Sequence, residues 1–380
     1  MKMTAFFTVV ASVLLSHATL AVAESDALQA LRASAATVPT NNPGIHTFAE
    51  PPAGFDPVKA SDIQLAVYGF PPRPDPQADP VHYAFWERAM QSAKIHWTGE
   101  LKPLPYTRPA IAPAVSPQPQ TANTTSSGPQ QIKTDNAAGV TLTNGLESWN
   151  NESSFVLAYA QITVPTAQMP FSSHGCTATD YTEVSLVGID GDDSGTGNSK
   201  AFGSMLQAGI YSDVPCHGTP LYYAEIEYGD GGLASVFPVS PGDVVNVTVE
   251  GFPGTSYLFL NDLTTQAYGN YTIATPDIVG KSANWIVERL CCTGNLPYPL
   301  ANTIGIAFQS AGAQTQAQFH SPYGEYVGSQ AASTKVLTMM DNNGTTSIEV
   351  VTQGSAGPEG LTGLWFQTTG CAYLGDCPVQ

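Results

Sequence analysis

DVVNVTVE, residues 243–250, decides the fold class. Val245, Val247 and Val249 alternate with Asn246, Thr248 and Glu250. A period of two places the valines on one face of a strand and the polar residues on the other. β-Branched side chains also suit a pleated sheet. The same grammar recurs in both directions along the chain. SSFVLAYAQITV (153–164), TEVSLVGID (182–190), GSMLQAGIY (203–211) and YYAEIEY (222–228) precede it. TSYLFLN (255–261), GNYTIA (269–274), ANWIVE (283–288), TIGIAFQ (303–309), TKVLTMM (334–340) and SIEVVT (347–352) follow. Gly, Pro, Asn, Asp or Ser bounds each run, and no long amphipathic helix interrupts them. The expected fold is an all-β sandwich from about residue 136 to 380.

The remaining third reads differently. MKMTAFFTVVASVLLSHATLAVA (1–23) has Lys2, an apolar run and Ala21-Val22-Ala23, which is a signal peptide with cleavage expected after Ala23. No later stretch is apolar and long enough to span a bilayer. The expected location is extracellular, or periplasmic in a bacterium. Residues 24–135 hold 17 of the 30 prolines. Within them, VHYAFWERAMQSAKIHW (81–97) repeats Trp86, Met90, Ala93 and Trp97 at helical spacing. IAPAVSPQPQTANTTSSGPQQIK (111–133) reads as a Pro/Ser/Thr-rich linker. The division is then a signal (1–23), a pro-segment (24–110), a linker (111–135) and the β domain; a small accessory domain that stays attached is the competing reading of 24–110.

Charge separates the same parts. The chain carries −18 formally, and residues 136–380 have 4 Lys+Arg against 21 Asp+Glu. Such a domain repels itself at neutral pH and is relieved in acid. It has no basic stripe for phosphates, which argues against nucleic acid as a partner. Arg73, Arg88, Lys94, Lys102 and Arg108 are expected to pair with the acidic domain and to release it on acidification. Six cysteines (Cys176, Cys216, Cys291, Cys292, Cys371, Cys377) imply up to three disulfides in an exported protein, with the pairing open. Their spacing matches no zinc pattern, so neither metal nor cofactor is expected. Sequons occur at Asn123, Asn151, Asn246, Asn270 and Asn343.

Asp193-Ser194-Gly195 evokes two protease motifs, yet the second Asp loop and the matched His that these need are missing. A stronger signal is the order of VGIDG (187–191), MLQAGIY (205–211), YYAEIEYGD (222–230), SPGDVVNVTV (240–249), LNDLTTQAYGNYTI (260–273) and ANWIVERL (283–290). These blocks resemble the glutamic peptidases, or eqolisins, over roughly 145–310. The resemblance implies a double β-sandwich of jelly-roll or concanavalin-like type and an acid endopeptidase made as a monomeric zymogen. It implies a Gln/Glu dyad at Gln207 and Glu288. Asp190 and Glu227 match supporting acids, with Glu225 a competing match. Trp149, Leu186, Tyr211, Tyr228 and Trp285 fall at substrate-facing places. Leu186 stands where the family has Trp, and Asn150-Asn151 replaces a glycine pair.

The residues support that chemistry on their own terms. A carboxylate can take a proton from water and return it to a leaving amine. A neutral amide can hydrogen-bond an oxyanion. Partners on this reading are protein or peptide substrates and the chain's own pro-segment as inhibitor. Two other readings stay open. One is a carbohydrate-binding sandwich, with Tyr222, Tyr223, Tyr228 and Trp285 stacking on sugars. The other is a glycosidase using Glu225 and Glu227.

Overall fold

The computed structural model describes residues 26–104 and then 130–368, interrupted at 135–136, 170–179, 192–204, 230–232, 294–295, 298–299, 304, 320–333, 341–346, 354–355, 358–359 and 362–363. The N-terminal region contains a helix α1 (26–33), strands β1 (Thr37–Pro39) and β2 (Ile45–Phe48), helices α2 (Asp62–Val67) and α3 (Pro80–Ser92), and strands β3 (Ile95–His96) and β4 (Lys102–Pro103). Next come β5 (Gln130–Thr134), β6 (Ala137–Thr143), β7 (Phe155–Thr163), β8 (Ala167–Gln168), β9 (Tyr181–Ile189) and β10 (Leu206–Val214). β11 (Leu221–Tyr228), β12 (Leu233–Pro238), β13 (Val244–Glu250), β14 (Gly254–Asp262), β15 (Ala267–Thr275) and β16 (Ser282–Glu288) follow. β5 falls inside the stretch read as linker.

Two sheets face each other. The front sheet runs β4–β12–β11–β10–β9–β16–β6, then Thr334–Met340 and β5, with only the last pair parallel. The back sheet runs β1–β2–β15–β14–β13–β7, then Ile306–Thr315, Leu364–Thr368 and Ser347–Gln353. Ser347–Gln353 also pairs with Thr334–Met340 and ties the sheets together. Val245, Val247, Val249, Leu258 and Leu260 of the back sheet meet Val187, Ile189, Leu206, Ala208 and Val287 of the front sheet in one buried core. Each such side chain contributes about 1.5–3 kcal/mol when fully buried. This is the double β-sandwich that the alternation predicts.

The polar face of DVVNVTVE is covered as well. Asn246, Thr248 and Glu250 are all buried. Their cover is the N-terminal region. α3 starts with Asp79 as N-cap, accepting from His82 N, and Pro80 in its first turn. It buries Phe85, Trp86, Ala89 and Met90. Trp86, Met90, Phe70 and Leu65 pack with Phe259 and Tyr268 of the back sheet, while Phe85 packs with Val156, Leu157 and Tyr159. The helix stops at Ser92, short of the run to Trp97 that the periodicity predicts. Backbone pairing wins there: Lys94 N and Ile95 N both donate to Gln266 O, and β3 runs parallel to β15.

Electrostatic docking differs from expectation in detail. Among the described residues, Arg32 makes the ion pair that crosses to the sandwich, its Nη1 donating to Glu250 Oε2 at 2.7 Å while its guanidinium lies 4.0 Å from the Tyr257 ring centre. Arg73 instead pairs with Asp62 of its own segment, and Arg88 donates to the Ser310 hydroxyl. A cavity of about 400 Å³ lies along this seam, lined among others by Arg32, Arg73, Asp79, His82 and Glu250. Two sequons are closed here, because Asn246 and Asn270 are fully buried and Asn270 Nδ2 donates to Tyr68 O.

Candidate active site

Gln207 and Glu288 lie on the outer face of the front sheet, away from that cavity. Register arranges the face in rows across β11, β10, β9, β16 and β6. One row holds Glu227, Gln207, Gly188, Asn284 and Thr141. The next holds Glu225, Gly209, Leu186, Ile286 and Gly139. The third holds Tyr223, Tyr211, Val184, Glu288 and Ala137. Strand parity in ANWIVE therefore works as the sequence suggests: Asn284, Ile286 and Glu288 share this face.

Gln207 and Glu288 share the face without touching. They are two strands and two rows apart, which puts their Cα atoms roughly 16 Å from one another on a flat sheet. A reacting group held by both must lie between them. Gln207 is fully buried, and neither Oε1 nor Nε2 has a hydrogen-bond partner among the described residues. Its side chain lies over Gly188, where a Cβ would overlap Gln207 Cγ, and Nε2 passes 3.3 Å from a Cβ position on Gly191. Gly209 next to it has no room either, since a Cβ would strike the Ser185 carbonyl. The glycines keep the floor of the face bare.

Asp190 is the fixed point beneath. It sits at φ 61°, a left-handed conformation that Asp tolerates better than most residues. Its carboxylate accepts from Val279 N (2.7 Å), Gly280 N (3.1 Å) and Lys281 N (2.6 Å), which clamps the turn leading into β16. Its carbonyl accepts from Asn284 Nδ2. Asp190 thus positions the strand that carries Glu288.

Leu186 and Tyr211 join Val184, Leu233, Ile286 and Leu290 in an apolar cluster on this face. Asp213 follows Tyr211 on the same side, its carboxyl pushed up to about 6 by burial and by Asp180, with a hydrogen bond from Tyr211 opposing. Three expected substrate contacts lie elsewhere. Trp285 points into the core, with Nε1 donating 3.0 Å to Tyr159 O. Tyr228 also packs against the core, because even positions of β11 face inward. Trp149 packs beside Val156 and Leu157 at the back sheet. Tyr222 turns inward too, its hydroxyl on Ala167. The sugar-stacking reading loses these platforms for the same reason. No motif marks Asn284; strand parity places it on the Glu288 face, and the register through Gly188 brings it into the row of Gln207.

In the full-length chain the face is shut. Gln207, Glu225, Glu227, Asn284 and Glu288 are each exposed by 2% or less. Leu104 and Ile132, at the two ends of the undescribed 105–129 stretch, both pack on the apolar cluster of this face.

Residues 135–357 match the Peptidase A4 family. The chain belongs to that family. The A4 match takes in strands of both sheets together with Gln207 and Glu288. No curated relative matches the chain. Among solved structures, this A4 chain is similar to scytalido-glutamic peptidase with a transition state analog inhibitor, at 17% identity and TM-score 0.44, covering 62% of this chain and 98% of that one. The same peptidase with a peptide-based transition state analog gives 17% identity and TM-score 0.45 over the same shares. Peanut lectin with a 9-residue peptide is a more distant likeness, at 11% identity and TM-score 0.19 over 44% of this chain and 86% of that one.

Proposed function

We propose that this A4 peptidase is an exported endopeptidase that works in acid and is made in a closed form. Glu288 is the base that takes a proton from water and then delivers it to the leaving amine. The Gln207 amide donates to the tetrahedral oxyanion. Asp190 holds β16, and Glu227 and Glu225 flank Gln207 and Gly209 on β11. The observation that carries this reading is the Gln207 amide: fully buried, with neither atom partnered among the described residues, on the face that carries Glu288. An unmet buried polar group costs about 1–3 kcal/mol, a cost that binding of a partner removes.

Closure is part of the proposal. Site residues of the intact chain are closed to solvent. The helices of the N-terminal region back the opposite sheet, so inhibition resides at the 104 and 132 ends rather than in the helices. The full-length chain, incubated at about pH 3–4 near carboxylate pKa values, is tested on a denatured protein with pepstatin present. Wild type is expected to cleave, and Glu288→Gln to lose about 10²–10⁴-fold in kcat. Equal cleavage by both, or none by processed wild type, would refute the dyad.

A further inference from the structure

From the geometry we infer that Asn284 is a substrate-binding residue: its side-chain carbonyl accepts a backbone N–H of an extended peptide, while Gln207 donates to a carbonyl of the same chain. The inference rests on the peptidase reading above and assigns to that site a contact absent from the Gln/Glu dyad.

The orientation of Asn284 is settled by its neighbour. Nδ2 donates to the Asp190 carbonyl. The reverse orientation would set two carbonyl oxygens against each other. Oδ1 is therefore the outward end, and among the described residues it has no hydrogen-bond partner although Asn284 is 2% exposed. Only Gly188 separates it from Gln207 across the sheet. Two unmet buried amides thus stand in one register row, and the Gln207 side chain itself leans over the glycine between them. Their Cα atoms are about 10 Å apart, two strand spacings. The donors and acceptors left over, Nε2 and Oε1 of Gln207 and Oδ1 of Asn284, match the alternating C=O and N–H groups of a peptide main chain. They recognise no particular side chain, so the contact fixes register and orientation rather than residue preference.

A structural role and a binding role come apart in two variants. Asn284→Ala removes both ends of the amide. Asn284→Asp keeps the outward acceptor oxygen, and its carboxyl, held protonated by burial against the Asp190 carbonyl, keeps a donor to that carbonyl as well. The full-length chain after acid incubation is titrated with a peptide whose scissile amide is replaced by a methyleneamine, and Tm is measured in parallel. The inference expects a lower Tm in Asn284→Ala than in Asn284→Asp, with binding weakened about tenfold or more in Asn284→Ala and within about threefold of wild type in Asn284→Asp. On cleavable peptide, Asn284→Ala should raise KM by a similar factor with kcat within about twofold. A Tm loss in Asn284→Ala with unchanged binding in both variants would make Asn284 a staple for Asp190 alone and overturn the inference. Wild type that cleaves protein while Asn284→Ala binds equally well would overturn it and leave the dyad standing. Wild type that neither binds nor cleaves would overturn both.

Discussion

Glu183→Gln should flatten the pH dependence of stability. Glu183 is buried between the sheets, on the inward side of β9, where Thr303 Oγ1 donates 2.9 Å to Oε2 and Ser185 Oγ donates 3.2 Å to Oε1. Burial outweighs both hydrogen bonds and pushes its carboxyl up to about 7 from an ordinary 4.5. The folded chain thus binds more protons than the unfolded one between those values. Stability is fully present below pH 4.5 and falls as pH rises to about 7. A shift of that size corresponds to about 3 kcal/mol. Gln has the shape of protonated Glu and no charge to lose. Urea unfolding of wild type and variant at pH 4 and pH 8 should therefore show near-equal stability in acid. At pH 8 the variant should exceed wild type by about 3 kcal/mol. Self-repulsion among the excess acids gives both proteins a slope of the same sign, and the difference between them isolates Glu183. Parallel pH profiles would refute the reasoning, because the carboxyl would then ionise in the folded state without cost.

Gly188→Ala should lower activity through displacement of Gln207, with kcat falling about 10²-fold or more as oxyanion donation is lost and secondary structure by circular dichroism unchanged. Gly209→Ala, whose Cβ meets the Ser185 backbone, should instead cost roughly 1–3 kcal/mol or more in chemical unfolding. Trp86→Ala should cost about 3–5 kcal/mol and speed proteolysis of residues 26–104. Arg32→Ala leaves Glu250 buried and unpaired, with an expected loss of about 3–5 kcal/mol; Arg32→Ala with Glu250→Gln should recover part of it.

Much of this was legible from periodicity. All eleven strand stretches coincide with strands, and the clearest alternation, in DVVNVTVE, comes from valines that face the core between the sheets. Parity placed Asn284, Ile286 and Glu288 together. The same parity excluded Trp285 from the site, but family position had pointed the other way. β6, AAGVTLT, escaped notice because its small residues resemble the end of a linker; it is a strand because β16 and Thr334–Met340 pair on either side. LASVFP in β12 is similarly weak in isolation. The docking of α3 on Phe259 and Tyr268 joins residues more than 150 positions apart, and no local pattern records a partner at that distance. For Gln207 the sequence offered a residue type; only the fold shows that its amide is buried and unmet.

The N-terminal layer bears on how the protein can be produced. β2 completes the hydrogen bonding of β15, and α3 covers Tyr159, Phe259 and Tyr268. A recombinant chain begun at the linker would emerge with β15 as a bare edge and a stripe of aromatic rings open to water. Inclusion bodies are the expected yield of such a truncation, and co-expression of residues 26–104 as a separate polypeptide should restore solubility. The segment would then act as a folding template supplied in trans, a role that cleavage of the linker would not end.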